Sequence, residues 1–324
     1  MVRLGIALLN LLLLLAVAER VSAAKTEFPL GPTNITLLRG VQNHLLVPAH
    51  VNGHDATFLL DTGEDIDYLQ RDRAQPLGVQ SLGRQARSGN RWFELGEIAN
   101  LHIGSLALTK VEIALYDPAQ FHGPVPGRKG KPADGILGLK FLRQHKAIVN
   151  CRTQQLYLQT GPASPLDLSA ITRELGFTRV PLIENEEGAL TVPCSFKGKR
   201  GNLVLDTGAF VTVFDQKSMR DFELKESATK LSARTPSGRV RPLQVAQFDN
   251  LRIGGLPVAP QKFAVMDLFA AIKPVRTSLG INRIQVYDAR TVRVKRNVLG
   301  LLGSELLYQR SAIIDVGRLA LYLK

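Results

Sequence analysis

Apolar positions in this chain come in short runs broken by glycine and polar residues, and helical periodicity is scarce. The runs at 45–51 and 57–60 are rich in β-formers and are separated by Asn52-Gly53. That dipeptide tolerates positive φ at both positions and signals a two-residue hairpin. The runs at 101–103, 111–115 and 156–158 read likewise as strands. Helical candidates are few and short, at 71–77, 140–145, 169–175 and 305–309. The pattern predicts an all-β protein with a few short helices.

The pattern also repeats. LLVPAHVNGHDATFLLDTG, from Leu45, aligns without a gap on LTVPCSFKGKRGNLVLDTG, from Leu190. Downstream, NLHIGSLAL from Asn100 matches NLRIGGLPV from Asn250. GILGLKFLRQHKAIVNCRTQQLYL from Gly135 then matches GLLGSELLYQRSAIIDVGRLALYL from Gly300. The offset between copies grows from 145 to 165 residues, which places about 20 extra residues between Asp267 and Val298. Self-similarity on this scale implies a duplicated unit. The expected organisation is a leader at 1–23, a first lobe at 24–160, a linker with a short helix at 161–180 and a second lobe at 181–324.

Each copy runs an apolar strand straight into Asp-Thr-Gly, at Asp61-Thr62-Gly63 and Asp206-Thr207-Gly208. A turn needs the glycine. It does not need an acid behind a buried strand, because a lone buried carboxylate is costly unless something pairs with it. If the lobes pack with pseudo-twofold symmetry, the two loops meet at the axis and each acid is the other's partner. Two such carboxyls share one proton. The neutral one can protonate a substrate carbonyl while the ionised one takes a proton from water. No metal or other cofactor is required for that chemistry, and none is expected.

These residues resemble the aspartic proteases, in particular the retropepsin-like type fused as two lobes in one chain. The pattern is Leu59-Leu60-Asp61-Thr62-Gly63 with Ile136-Leu137-Gly138, and Val204-Leu205-Asp206-Thr207-Gly208 with Leu301-Leu302-Gly303. It covers residues 40–324. The resemblance implies a bilobal pepsin/retropepsin-like fold of two pseudo-twofold-related β-barrel lobes. It implies that Asp61 and Asp206 are the catalytic dyad, and that Thr62 and Thr207 cross-link the loops through hydroxyl-to-backbone hydrogen bonds. Gly63 and Gly208 would let the chain turn close to substrate. Flap candidates are residues 88–92, with Gly89 and Trp92, and residues 236–239, with Gly238. Asp65 resembles the second acid of retropepsin Asp-Thr-Gly-Ala-Asp, which contacts the substrate main chain. Glu64 departs from the family, which usually has a small residue there. Turned inward, it would raise the apparent pKa values of the dyad. No stretch resembling a long inhibitory pro-segment lies between residues 24 and 40.

Charge and targeting refine this picture. The chain has 324 residues and a formal charge of +13, spread over both halves. A basic balance can serve nucleic acid, an anionic surface or acidic substrates. No zinc-ligand spacing, RNA-binding aromatic signature or P-loop accompanies it, so no nucleic acid partner is expected. Arg3, an apolar segment to Ala18 and Val21-Ser22-Ala23 read as a secretory signal peptide. That predicts export to the periplasm or secretion, with no stable membrane anchor once the leader is removed. Cys151 and Cys194 occupy non-equivalent places in the two halves and read as strand residues rather than a bridge. Two functions compete at this level. One is a monomeric endopeptidase acting on peptides in an extended conformation. The other is a binding module of the same fold, with an impaired dyad, holding a peptide or an envelope polymer.

Overall fold

The Asn52-Gly53 and Lys197-Gly198 turns take positive φ at both central residues, 50° and 84° in the first and 45° and 84° in the second. This conformation matches the twist of the flanking strands. A computed structural model describes residues 33–88, 91–117, 125–128, 130–159, 164–222, 224–234, 240–268 and 298–324. The expected insertion after Asp267 lies mostly outside the described residues, and the leader lies wholly outside them.

The strands of the first half are β1 (Thr33–Thr36), β2 (Leu38–Arg39), β3 (Leu45–Val51), β4 (His54–Leu60), β5 (Tyr68–Gln70), β6 (Gln80–Ser88), β7 (Arg91–Ile103), β8 (Leu106–Tyr116), β9 (Gly135–Leu137), β10 (Ile148–Asn150) and β11 (Gln155–Leu158). Those of the second are β12 (Thr178–Pro181), β13 (Ile183–Glu184), β14 (Leu190–Phe196), β15 (Lys199–Leu205), β16 (Val213–Asp215), β17 (Ser227–Arg234), β18 (Val240–Phe248), β19 (Arg252–Ile253), β20 (Leu256–Pro257), β21 (Gln261–Met266), β22 (Val298–Leu302), β23 (Ile313–Asp315) and β24 (Ala320–Leu323). The α-helices among the described residues are α1 (Arg71–Ala74), α2 (Leu139–Gln144), α3 (Ser169–Glu174), α4 (Gln216–Met219) and α5 (Ser304–Gln309). The protein is thus all-β and bilobal, with short helices close to their expected places. The short runs expected at 101–103 and 111–115 are the ends of much longer strands.

The first lobe is an eight-stranded sheet ordered β2-β3-β4-β9-β5-β8-β7-β6, and an added β3–β7 pairing closes it into a barrel. The second lobe repeats the order as β17-β18-β21-β16-β22-β15-β14-β19-β20. Where the first lobe has the single long β7, the second has β18 and β19 separated by residues 249–251. A six-stranded sheet, β1-β11-β10-β23-β24-β12, takes three strands from each half. At its centre Val149 pairs with Ile314, flanked by Ile148 with Asp315 and Asn150 with Ile313. Val149 and Ile314 are counterparts in the repeat and the two flanking pairs exchange on duplication, so a local twofold axis runs through this pairing. Elsewhere across the halves, Arg39 and Arg152 of the first each stand 4.4 Å from the Tyr308 ring of the second.

The core follows from the alternation. In β4 and β15 the last three residues are all buried, because those strands lie inside the sheet with both faces covered. One continuous apolar cluster includes Phe58, Leu60 and Leu137 of the first lobe with Leu203, Leu205 and Leu302 of the second. Cys151 and Cys194 are buried and free, and burial pushes both thiols up to about 12. Among the described residues no helix is long and apolar enough to cross a membrane.

Candidate active site

Strands β4 and β15 deliver the two acids. β4 runs parallel to β9, and β15 runs parallel to β22, the strands that carry the apolar-Gly segments. Each ladder continues one residue into the loop, where Asp61 N–H donates to the Leu137 carbonyl at 3.0 Å and Asp206 N–H to that of Leu302 at 3.1 Å. The glycines after these strands admit a close crossing. A Cβ on Gly138 would stand 2.4 Å from the Ile66 oxygen, and one on Gly303 would stand 2.4 Å from the Val211 oxygen.

The two loops lock together through the threonines. Thr62 N–H donates to Thr207 Oγ1 at 3.0 Å, and Thr207 N–H to Thr62 Oγ1 at 3.1 Å. Each hydroxyl then donates onward across the axis, Thr62 to the Leu205 carbonyl at 2.8 Å and Thr207 to that of Leu60 at 2.7 Å. Both side chains are fully buried, so every bond in this square is sheltered from water.

The carboxyls of Asp61 and Asp206 lie close enough across the axis for each to act on the other's protonation. Asp61 is 9% exposed and Asp206 half-buried. Each sits over the other loop's glycine. A Cβ on Gly63 would meet Asp206 Cγ at 2.8 Å, and one on Gly208 would meet Asp61 Oδ2 at 2.1 Å. No larger residue fits at either place. Gly63 N–H donates to Asp61 Oδ1, and Ala209 N–H to Asp206 Oδ1, both at 2.8 Å.

Burial drives the Asp61 carboxyl well above the ordinary carboxylate range, and the charges of Asp206 and Glu64 add to it. Asp206 is also raised by burial, but N–H groups of Ala209 and Gly208 oppose the rise. Both acids are thus raised, and because they interact their titration belongs to the pair. Glu64 is half-buried, acts on Asp61 and also meets the Tyr68 hydroxyl. Its inward influence has the direction that the sequence predicts.

Asp65 leads away from the dyad. The Tyr68 hydroxyl donates to Ser88 Oγ at 2.9 Å, and Ser88 donates to Asp65 Oδ1 at 2.5 Å. Ser88 ends β6, so this chain ties the β6–β7 hairpin to the loop after Gly63. Trp92 lies on β7 opposite Arg87 and is 58% exposed. Gly89 and Gly238 lie outside the described residues. Among the described residues no cluster of three or more His, Cys, Asp or Glu is placed to hold a metal ion.

Sequence reasoning missed two residues here. His44 is 1% exposed, and its Nε2 lies 2.8 Å from the Gly208 carbonyl of the other lobe. Asp67 accepts the Gly138 N–H at 2.9 Å, and burial raises its carboxyl to about 6. A histidine before an apolar run and an acid beyond a motif give no signal of such distant partners.

Among solved structures, an aspartic proteinase from Irpex lacteus is similar over 90% of this chain and 96% of its own, at 11% identity and a TM-score of 0.48. A retropepsin-like aspartic protease from Rickettsia conorii matches over 39% of this chain and 89% of its own, at 21% identity and a TM-score of 0.28. The family model for aspartyl protease matches residues 47–141 and again 192–306, one Asp-Thr-Gly in each segment and well over half of the chain in all. The chain belongs to the aspartyl protease family.

Proposed function

We propose that the protein is an aspartic-type endopeptidase whose dyad is Asp61 and Asp206. The observation that carries this reading is the placement of each carboxyl over the other loop's glycine, with the two loops locked by the threonine square. In the reactive state Asp61 is neutral and Asp206 ionised. Asp206 accepts a proton from a water held between the two acids, and that water's oxygen attacks the peptide carbonyl carbon. Asp61 gives its proton to the carbonyl oxygen. The resulting tetrahedral diol collapses with a proton delivered to the leaving nitrogen. Nothing becomes covalently attached to the protein. General acid–base transfer of this kind contributes roughly 10²–10⁴-fold at each position.

The substrate is a peptide in an extended conformation, bound across both lobes by strand-like main-chain hydrogen bonds beneath the β6–β7 hairpin. Asp65 and Trp92 lie on that side. The enzyme acts as a monomer after export, because one chain supplies both acids.

The test is cleavage of an unbiased peptide library from pH 3 to 8 by wild type, Asp61→Asn and Asp206→Asn, each verified as folded. Cleavage by wild type that disappears in both variants supports the reading. A folded wild type that cuts nothing at any pH overturns it in favour of a binding module.

A further inference from the structure

The two acids are not equivalent, and the asymmetry has a traceable source. His44 belongs to the first lobe, in the turn before β3. Its Nε2 faces the Gly208 carbonyl at 2.8 Å. A carbonyl oxygen only accepts, so Nε2 carries the hydrogen and donates it. The Gly208 carbonyl and the Ala209 N–H are two ends of one peptide group. That N–H donates to Asp206 Oδ1 at 2.8 Å. A continuous path therefore runs from the imidazole N–H, through one amide, to the Asp206 carboxylate. A donor on the oxygen end of an amide polarises its N–H end, and bonds in such a chain strengthen one another.

The Gly63–Glu64 peptide beside Asp61 has no counterpart of this donor. The position equivalent to His44 is Ala189, whose side chain cannot donate. Gly208 is also the residue packed against the Asp61 carboxylate, so this peptide touches both acids at once.

We propose that His44 is a positioning residue that assigns the charge of the dyad: through the Gly208–Ala209 peptide it stabilises the ionised form of Asp206 and leaves the proton on Asp61. This inference rests on the dyad reading above and deepens it. Burial keeps the ring neutral, lowering its pKa from the ordinary 6.5 against the pull of the Gly208 and Val41 carbonyls. Near neutral pH the imidazole thus acts through its dipole.

The other charged groups near this path do not substitute for it. Glu64 faces the dyad from the first lobe's loop and raises Asp61, while Asp61 itself lowers Asp206 and so adds to the asymmetry. Glu305, on α5, binds the Thr212 N–H with both oxygens at 2.8 Å. Arg39, Cys151 and Tyr308 line the crevice between the lobes with Thr207 and Ser304. Arg39 is committed to the Cys151 carbonyl at 2.7 Å. Arg152 stacks on Tyr308.

The experiment is a carbon-13 NMR titration of the aspartate carboxyls in the folded full chain, assigned with Asp61→Asn and Asp206→Asn. His44→Gln keeps a side-chain N–H, and His44→Phe keeps bulk without a donor. The expected result is that Asp206 titrates below Asp61 in wild type. His44→Phe should raise the Asp206 midpoint by a few tenths of a pH unit, because the Ala209 N–H bond to the carboxylate stays and loses only its polarisation, roughly 10–30% of its strength. His44→Gln should stay near wild type, and the acid limb of kcat/KM should move with the Asp206 midpoint. An unchanged Asp206 midpoint in folded His44→Phe overturns the inference, as does an equal shift in both variants, which would mark a packing effect. If His44→Phe does not fold, His44→Met takes its place under the same criteria. A wild type that cuts no peptide sinks the endopeptidase reading alone, because the carboxyl titrations judge His44 without any substrate.

Discussion

The two lobes build the same grip with the same atoms and then surround their acids differently. Thr62 and Thr207 make identical pairs of bonds across the axis. The glycines behind each loop are also held alike, yet by different chemistry. Gly138 N–H donates to Asp67 Oδ1 at 2.9 Å in the first lobe, and Gly303 N–H to Thr212 Oγ1 at 3.0 Å in the second. After the motif the first lobe continues Glu64-Asp65 and the second Ala209-Phe210. Hydrogen-bond geometry is what duplication preserved. Charge is what diverged: Glu64 raises Asp61, and Ala209 stands in its place beside Asp206.

The most damaging way to break the likeness is to remove the grip. Thr62→Val and Thr207→Val each strand a buried N–H and a buried carbonyl, and each unmet group costs about 1–3 kcal/mol. Urea unfolding should show each single variant losing about 2–4 kcal/mol, with the double variant losing less than the sum, because the four bonds form one network. Additive losses would mean that the square is not cooperative.

Exchanging Asp67 for its counterpart, Asp67→Thr, probes a pH effect confined to the first lobe. A carboxyl raised from 3.8 to about 6 binds a proton in the folded state that the unfolded state has released. Its contribution is full below pH 3.8 and is lost as pH rises to about 6. The shift corresponds to roughly 3 kcal/mol, as an order of magnitude. Asp67→Thr should flatten the fall in stability across that window, measured as unfolding free energy at pH 4 and pH 7. A fall of unchanged size would place its origin elsewhere.

A smaller effect is expected of Glu64→Ala. Its charge helps hold the proton on Asp61, so its loss should lower the Asp61 midpoint. The alkaline limb of activity, where Asp61 loses its proton, should move to lower pH. The acid limb, set by Asp206, should stay in place. A shift in the opposite direction would remove Glu64 from the electrostatics of the dyad.

Much of this design is readable in the sequence because it is local or repeated. The Asn52-Gly53 turn, the paired Asp-Thr-Gly loops and the apolar-Gly segments each announce themselves. The helix expected at 305–309 begins one residue earlier, at Ser304. Long pairings are less legible. In β6 most side chains are exposed on both faces, so no alternation marks it as a strand. In β7 Glu94, Gly96 and Glu97 interrupt the apolar pattern, and pairing with β8 along most of its length supplies the order that composition does not. Contacts such as His44 with Gly208 span 164 residues and exist only once the lobes meet.

The measurement that bears most directly on the account is kcat/KM on one cleaved peptide for Asp61→Asn, Asp206→Asn and the double variant, all folded. Two acids acting as one unit make each single variant as inactive as the double, since removing either partner removes the shared proton. If one single variant keeps most of the wild-type rate, or the losses multiply independently, the lobes do not contribute equally to one site and the shared-proton account is wrong.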